Sequence, residues 1–162
     1  MRHRTLPSIL CATLLGACAT TSPFDLGGVD RGLTPAQALA EPAARGRAVQ
    51  WGGLILDARN LKDGTQLEVL AFPLLDNGRP ARAAAPLGRF VLIQKGYLET
   101  LDFAPGRWLT VVGPVGGVLE GRLGEVAATY PVVSPEQRGL WPQDAPFAEP
   151  QLHFGIGMFY SR

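Results

Sequence analysis

The chain is poor in the side chains that carry out most chemistry. It has two cysteines, Cys11 and Cys18, and two histidines, His3 and His153, in 162 residues. A site built from several histidines, or a histidine-based relay, therefore needs its other roles filled by different residue types. Charge is also scarce at 18% of residues, while apolar side chains reach 46%, a balance that suits a globular core. The formal net charge is only +1, which offers no electrostatic footprint for nucleic acid. No apolar run reaches the roughly 20 residues that a spanning helix needs. What the chain does have is turn formers: Gly 20 and Pro 14, which favour short elements joined by tight connections.

The scarce cysteine stands where it means most. Met1-Arg2-His3-Arg4 is a short cationic head, and residues 6–17 are apolar over the length of a signal h-region. Leu15-Gly16-Ala17-Cys18 closes that run as a lipobox, one larger apolar residue and two small ones before a thiol. The expectation is cleavage before Cys18 and attachment of acyl groups such as palmitate to it, the membrane lipid being its partner. The competing reading is a plain secretory leader cut near Ala17 or Ala19, with Cys18 incidental. Each buried CH₂ contributes about 0.8 kcal/mol and firm anchoring takes more than one chain, a condition that multiple acyl groups on Cys18 satisfy. Cleavage removes two of the 15 bases and none of the 14 acids, so the net charge turns from +1 to −1. It also removes Cys11, leaving no partner for an intramolecular disulfide. Ala19 rather than aspartate follows Cys18, which by the sorting rule of lipoproteins as a class points to the outer membrane.

The expected division is residues 1–17 as signal peptide, 18–33 as tether and 34–162 as a single domain. The tether is small, polar and glycine-containing. Thr34-Pro35-Ala36-Gln37 has the pattern of a helix start, with Thr34 as N-cap, Pro35 at the first position and Gln37 at the capping-box site. Pro42 limits that helix to about Glu41.

Beyond it the patterning is that of strands, expected at 47–57, 65–74, 88–94, 107–112 with extension toward Val118, and a fifth that starts near Leu123 and includes 127–133. Gly52-Gly53, in the middle of the first, favours a bulge or sharp coil that lets one strand pair in both halves of a curved sheet. Pro131 implies an edge or bulged position in the fifth. Residues 96–105 read as a short helical or irregular connector, and 153–160 (HFGIGMFY) as a candidate final strand. The fold expected is mainly β: a small five-stranded antiparallel OB-like barrel with a short N-terminal helix and a C-terminal extension. Another small barrel or sandwich is the alternative.

At this point the sequence resembles the Slp family of outer-membrane lipoproteins, associated with starvation and stationary phase. The resemblance rests on Leu15-Gly16-Ala17-Cys18, on Val49-Gln50-Trp51-Gly52-Gly53 with Asn60, and on Thr65-Gln66-Leu67-Glu68-Val69-Leu70. It continues through Gly121-Arg122-Leu123-Gly124-Glu125, Tyr130-Pro131-Val132-Val133 and Leu140-Trp141. It implies a lipid-anchored protein of the outer membrane that faces the periplasm, and it brings no catalytic residue.

Enzymatic readings find little purchase. Carboxylates at Glu99, Asp102, Glu120 and Glu125 have no spacing that sets two across a cleft, and solvated turns account for them. Gly113, Gly116, Gly117, Gly121 and Gly124 lack the Lys-Ser/Thr of a phosphate loop and the following helix of a dinucleotide site, so turns and bulges explain them better. No catalytic residue, metal ligand or cofactor is expected. Trp51, Tyr130 and Trp141 are the candidates for a ligand or partner surface, against the plainer reading that aromatics in a small barrel fill its core. Function is expected to be non-catalytic: a structural or partner-binding role in the envelope, linked to stress, with an envelope protein as partner. A periplasmic module for a small ligand or glycan is the alternative, and an envelope hydrolase ranks third.

Overall fold

The computed structural model describes residues 22–123 and 125–143, so the lipobox, His153 and the stretch 153–160 lie outside the described residues. A helix α1 (Pro35–Ala40) and a 3-10 turn (Pro42–Ala44) precede six strands. These are β1 (Ala48–Leu61), β2 (Gly64–Ala71), β3 (Arg89–Lys95), β4 (Trp108–Leu123), β5 (Val126–Val133) and β6 (Gln137–Leu140).

The helix forms where the local pattern places it. Thr34 Oγ1 accepts from the Gln37 backbone N–H at 3.2 Å, and Gln37 Oε1 accepts from the Thr34 N–H at 2.9 Å. Two orphan donors of the first turn are thereby satisfied reciprocally. The helix ends before Pro42, and its buried residues, Pro35 and Ala38, face the sheet.

The strands run in the order β1-β2-β3-β5-β4-β6, and an additional β1–β4 pairing closes β1, β2, β3, β5 and β4 into a ring. Closure depends on β1 serving two partners. Its first half, from Ala48 to Leu54, pairs with β4, while Gly53 onward pairs with β2. The changeover falls at Gly52-Gly53, where neighbouring backbones come too close for a side chain. A Cβ on Gly53 would lie 1.8 Å from the Leu70 carbonyl oxygen, and one on Gly52 2.6 Å from Thr110 Oγ1. The bend is therefore where the sequence places it, but the register shift is not at the glycines: it falls between Ile55 and Asp57.

Alternation sorts the side chains once the ring is closed. Val49, Trp51 and Ile55 of β1, Leu67 and Val69 of β2, Phe90 and Leu92 of β3, and Leu109 and Val111 of β4 fill one interior cluster. The opposite parity of β3 and β5 forms a smaller cluster of Val91, Tyr130 and Val132, flanked by Ile93, Leu119 and Ala128. Because a strand shifted by one residue would exchange these sets, the register is strongly specified.

Four features depart from the sequence reading. The pairing is not antiparallel throughout: β3 and β5 run parallel, with Val91 opposite Val132 and Leu92 opposite Val133. A sixth strand, β6, lies in the proline-rich segment and pairs with the first half of β4. β2 stops at Ala71, short of Leu74, and the chain turns through Pro73 so that Leu74 bridges Pro80. β4 continues to Leu123 through Gly113-Pro114 and Gly116-Gly117, bending at an irregularity between Val115 and Val118. There Gly113 is needed for closeness, since a Cβ would sit 2.0 Å from the Ser134 carbonyl oxygen. Pro131 lies opposite this irregularity and just before the β3 pairing begins at Val132, a place that needs no N–H from it. The 96–105 connector is irregular, built of turns.

Candidate functional site

The three aromatics expected at a surface are placed in three different surroundings. Trp51 is buried in the main cluster; its indole N–H donates to the Leu33 carbonyl at 2.7 Å, and its ring packs at 5.3 Å, tilted, against Phe90. Tyr130 is buried in the smaller cluster. Its hydroxyl donates to the Arg122 carbonyl at 3.2 Å, and its ring covers Gly121, where a Cβ would lie 2.8 Å from it. Trp141 is half-buried beyond β6, with its indole N–H donating to Thr110 Oγ1 at 2.9 Å. The fold does not gather them onto one face. Cys18, the expected lipidation residue, lies outside the described residues.

One of the three borders a cleft. A cavity of about 330 Å³ has Trp51, Phe72, Leu74 and Leu87 among its apolar walls and Arg31 and Gln50 among its polar ones. Volumes of this size fall at the lower end of the range that small organic molecules occupy. The segment 30–33, part of the stretch read as tether, forms one wall. It is tied down by an isolated bridge between Asp30 and Val49 and by Asp30 itself, whose Oδ1 accepts from the N–H groups of Gly32 at 2.8 Å and Leu33 at 3.0 Å. Arg47 pairs with the other oxygen of Asp30 and with Glu41 Oε1 at 3.1 Å, linking this wall to the helix. The backbone donors of Gly32 and Leu33, helped by Arg47, hold the Asp30 carboxyl below its usual range despite some opposing desolvation.

The polar side of the cleft is a short relay. Arg31 Nε donates to Gln50 Oε1 at 3.1 Å, and Arg31 Nη2 donates to the Leu75 carbonyl at 3.4 Å. Gln50 is only 2% exposed, and its Nε2 has no hydrogen-bond partner among the described residues. An unpaired buried amide donor is disfavoured by about 1–3 kcal/mol, so this group is a standing invitation to an acceptor. Neither Arg31 nor Gln50 stands out in the sequence as a site residue. The available signal was an amide in the otherwise apolar first half of β1, Ala48 to Leu56; Arg31 gave none, because only folding returns the tether to β1. Among the described residues no group of three or more His, Cys, Asp or Glu could hold a metal ion, and no helix is long and apolar enough to cross a membrane.

Fold and cleft together define a small mainly β domain closed into a ring of strands, with an aromatic-walled recess between its N-terminal segment and β1. A family model described as the outer membrane lipoprotein Slp family matches residues 15–160. The chain belongs to that family, and so is a lipoprotein of the cell envelope associated with the outer membrane. Among curated relatives, it is 28% identical over 123 residues to an Escherichia coli protein named "Uncharacterized lipoprotein YeaY", covering 76% of this chain and 61% of that one. It is 29% identical over 96 residues to an uncharacterized Haemophilus influenzae protein, covering 59% of this chain and 52% of the other. To the Escherichia coli outer membrane protein Slp it is 25% identical over 96 residues, covering 59% and 50%. The chain thus spans about half to three-fifths of the length of the relatives it matches. No solved structure matches it.

Proposed function

We propose that this protein is a non-catalytic lipoprotein, anchored through acylated Cys18 in the outer membrane and facing the periplasm, whose ring of strands is an OB-type barrel that contacts another envelope component, with a role linked to stress. The observation that carries the anchor is the family match itself, which begins at Leu15 and so takes in the lipobox through Cys18. The barrel reading draws support from the strand order and from the β1–β4 closure. Export followed by thioether formation on Cys18 places the domain at a membrane surface without any spanning helix, in line with the short apolar run. The Cys18→Ser variant tests it: the expected result is an unprocessed precursor that leaves the outer-membrane fraction, and normal maturation of that variant contradicts the anchor.

A second reading, binding of a small polar-and-apolar ligand or a glycan residue, is favoured by the Trp51 cleft and the unpaired Gln50 amide. A ligand seated there alters the surroundings of the Trp51 indole, so titration of candidate envelope compounds followed by tryptophan emission tests it. A Gln50→Leu variant should lose any such response while remaining folded; a response that persists unchanged in that variant places the binding elsewhere.

A further inference from the structure

We propose that the end of the ring closed by residues 96–106 is a docking surface for the phospholipid bilayer, with Leu101, Tyr97 and Leu61 entering the interfacial layer. The inference rests on the anchor at Cys18 and adds to it the face that the anchor presses against the membrane.

The leash between anchor and domain is short. Three residues, four residue-to-residue steps, separate Cys18 from Ser22, the first described position, and a fully extended chain spans at most about 14 Å over those steps. The polar headgroup layer on each side of a bilayer is itself about 5–8 Å deep. With its acyl chains in the hydrocarbon, Cys18 sits at the headgroup level, and about half of the leash is used up in leaving that layer. The surface from which Ser22 emerges is therefore held against the bilayer.

That surface is identifiable. Pro23 and Phe24 line a cleft of about 540 Å³ together with Phe103 and residues of β6. Phe103 belongs to the 96–106 connector, which the Glu99 carbonyl ties into a turn by accepting from the N–H groups of Asp102 and Phe103 at 3.1 Å. The connector then lifts Leu101 out of the protein, leaving it 83% exposed, with Tyr97 at 67%. Tyr97 Oη donates to the Lys62 carbonyl at 2.8 Å, joining the connector to the β1–β2 turn, where Leu61 is 44% exposed. Arg138 of β6 in turn donates to Gln94 Oε1 at 2.9 Å, so the cleft at the leash and the β1–β2 turn belong to one continuous face.

The composition of the face suits a lipid interface. It carries large apolar side chains, a tyrosine whose ring is apolar and whose hydroxyl is polar, and Lys62 and Lys95, whose stems can lie along apolar surface with the ammonium at phosphate level. Lys62, Lys95 and Arg138 are matched by Asp63, Glu99, Asp102 and Glu136, so attraction to anionic lipid is not the driving force. Apolar contact is, added to the anchor, and zwitterionic bilayers suffice. The opposite end supplies a control. Because β5 runs parallel to β3, which ends at Lys95, β5 begins at the far end of the ring, where Val126 is 68% exposed.

The test uses the full acylated protein, in which an introduced cysteine is the free thiol. Leu101→Cys, Leu61→Cys and Val126→Cys are labelled with an environment-sensitive nitrobenzoxadiazole dye and reconstituted into phosphatidylcholine vesicles containing acyl-brominated lipid. The inference expects the labels at 101 and 61 to lose most of their emission to the bromine atoms, with the label at 126 unaffected. With Cys18 shown by mass to be acylated, unquenched labels at 101 and 61 overturn the docking face and leave the anchor standing. An unmodified Cys18 with the same unquenched labels overturns both. A label at 101 that is blue-shifted yet insensitive to bromine reports a covering protein, a second copy included, and also overturns the bilayer as occupant.

Discussion

Gly53 is the residue on which closure turns. It is the point where β1 leaves β4 for β2, and a Cβ there would lie 1.8 Å from a carbonyl oxygen of Leu70. That oxygen belongs to backbone already committed to a strand, so it cannot move aside as a flexible side chain would. Gly53→Ala is expected to destabilise the domain by about 3 kcal/mol, the upper part of the usual range for overpacking, read as a lowered midpoint in urea unfolding. Gly96→Ala makes a contrasting control, because nothing stands within 4 Å of its Cβ and its strain comes only from a φ of +77°. Asp30 sets a pH dependence. Its pKa is lower in the folded protein than the ordinary 3.8, so its contribution to stability is in place above that value and is lost as pH falls through it toward the folded pKa. Asp30→Asn should therefore flatten the acid side of the stability profile; a profile unchanged by that variant contradicts the assignment. At this scale the aromatics were the least legible feature. The alternation that marks Trp51 and Tyr130 as β residues cannot say which face of a closed ring each one meets, and both are buried, in separate clusters.

Among the elements, α1 was the most legible because everything that starts and stops it is local. Thr34, Pro35, Gln37 and Pro42 lie within nine positions, and the capping box and the terminating proline require no knowledge of the rest of the chain. Thr34→Ala should cost about 1 kcal/mol of stability, the usual effect of losing an N-cap acceptor, measured by thermal or urea unfolding. A loss near zero would mean that packing of Ala38 and Pro35 holds the helix unaided. The first five strands were legible for a similar reason, since each carries a local apolar, β-branched-rich run, with clean alternation in β2. β6 was not, because Gln137–Leu140 has no pattern of its own and becomes a strand only by lying beside Leu109–Val112. The parallel β3–β5 pairing was hidden for the same reason: it depends on where the β4–β5 hairpin folds back, a non-local matter. The Arg31–Gln50 relay at the cleft needs the 30–33 segment to return to β1, and no local signal records that return.

For the whole molecule, the described fold and the leader argue from opposite directions to the same arrangement. In the proposed anchoring Cys18 supplies the thiol that lipidation needs, and the short span from Cys18 to Ser22 would hold the ring close to whatever surface the acyl chains enter. The proposed docking face, with Leu61, Tyr97 and Leu101, would then meet that surface, while the Trp51 cleft lies beside the 30–33 segment that precedes the helix. The mass of the N-terminal tryptic peptide, taken from protein extracted from outer membranes, tests this most directly. The expected result is a peptide that begins at residue 18 and carries a diacylglyceryl group on its sulfur; a peptide beginning there or at Ala19 with no lipid would contradict the anchor.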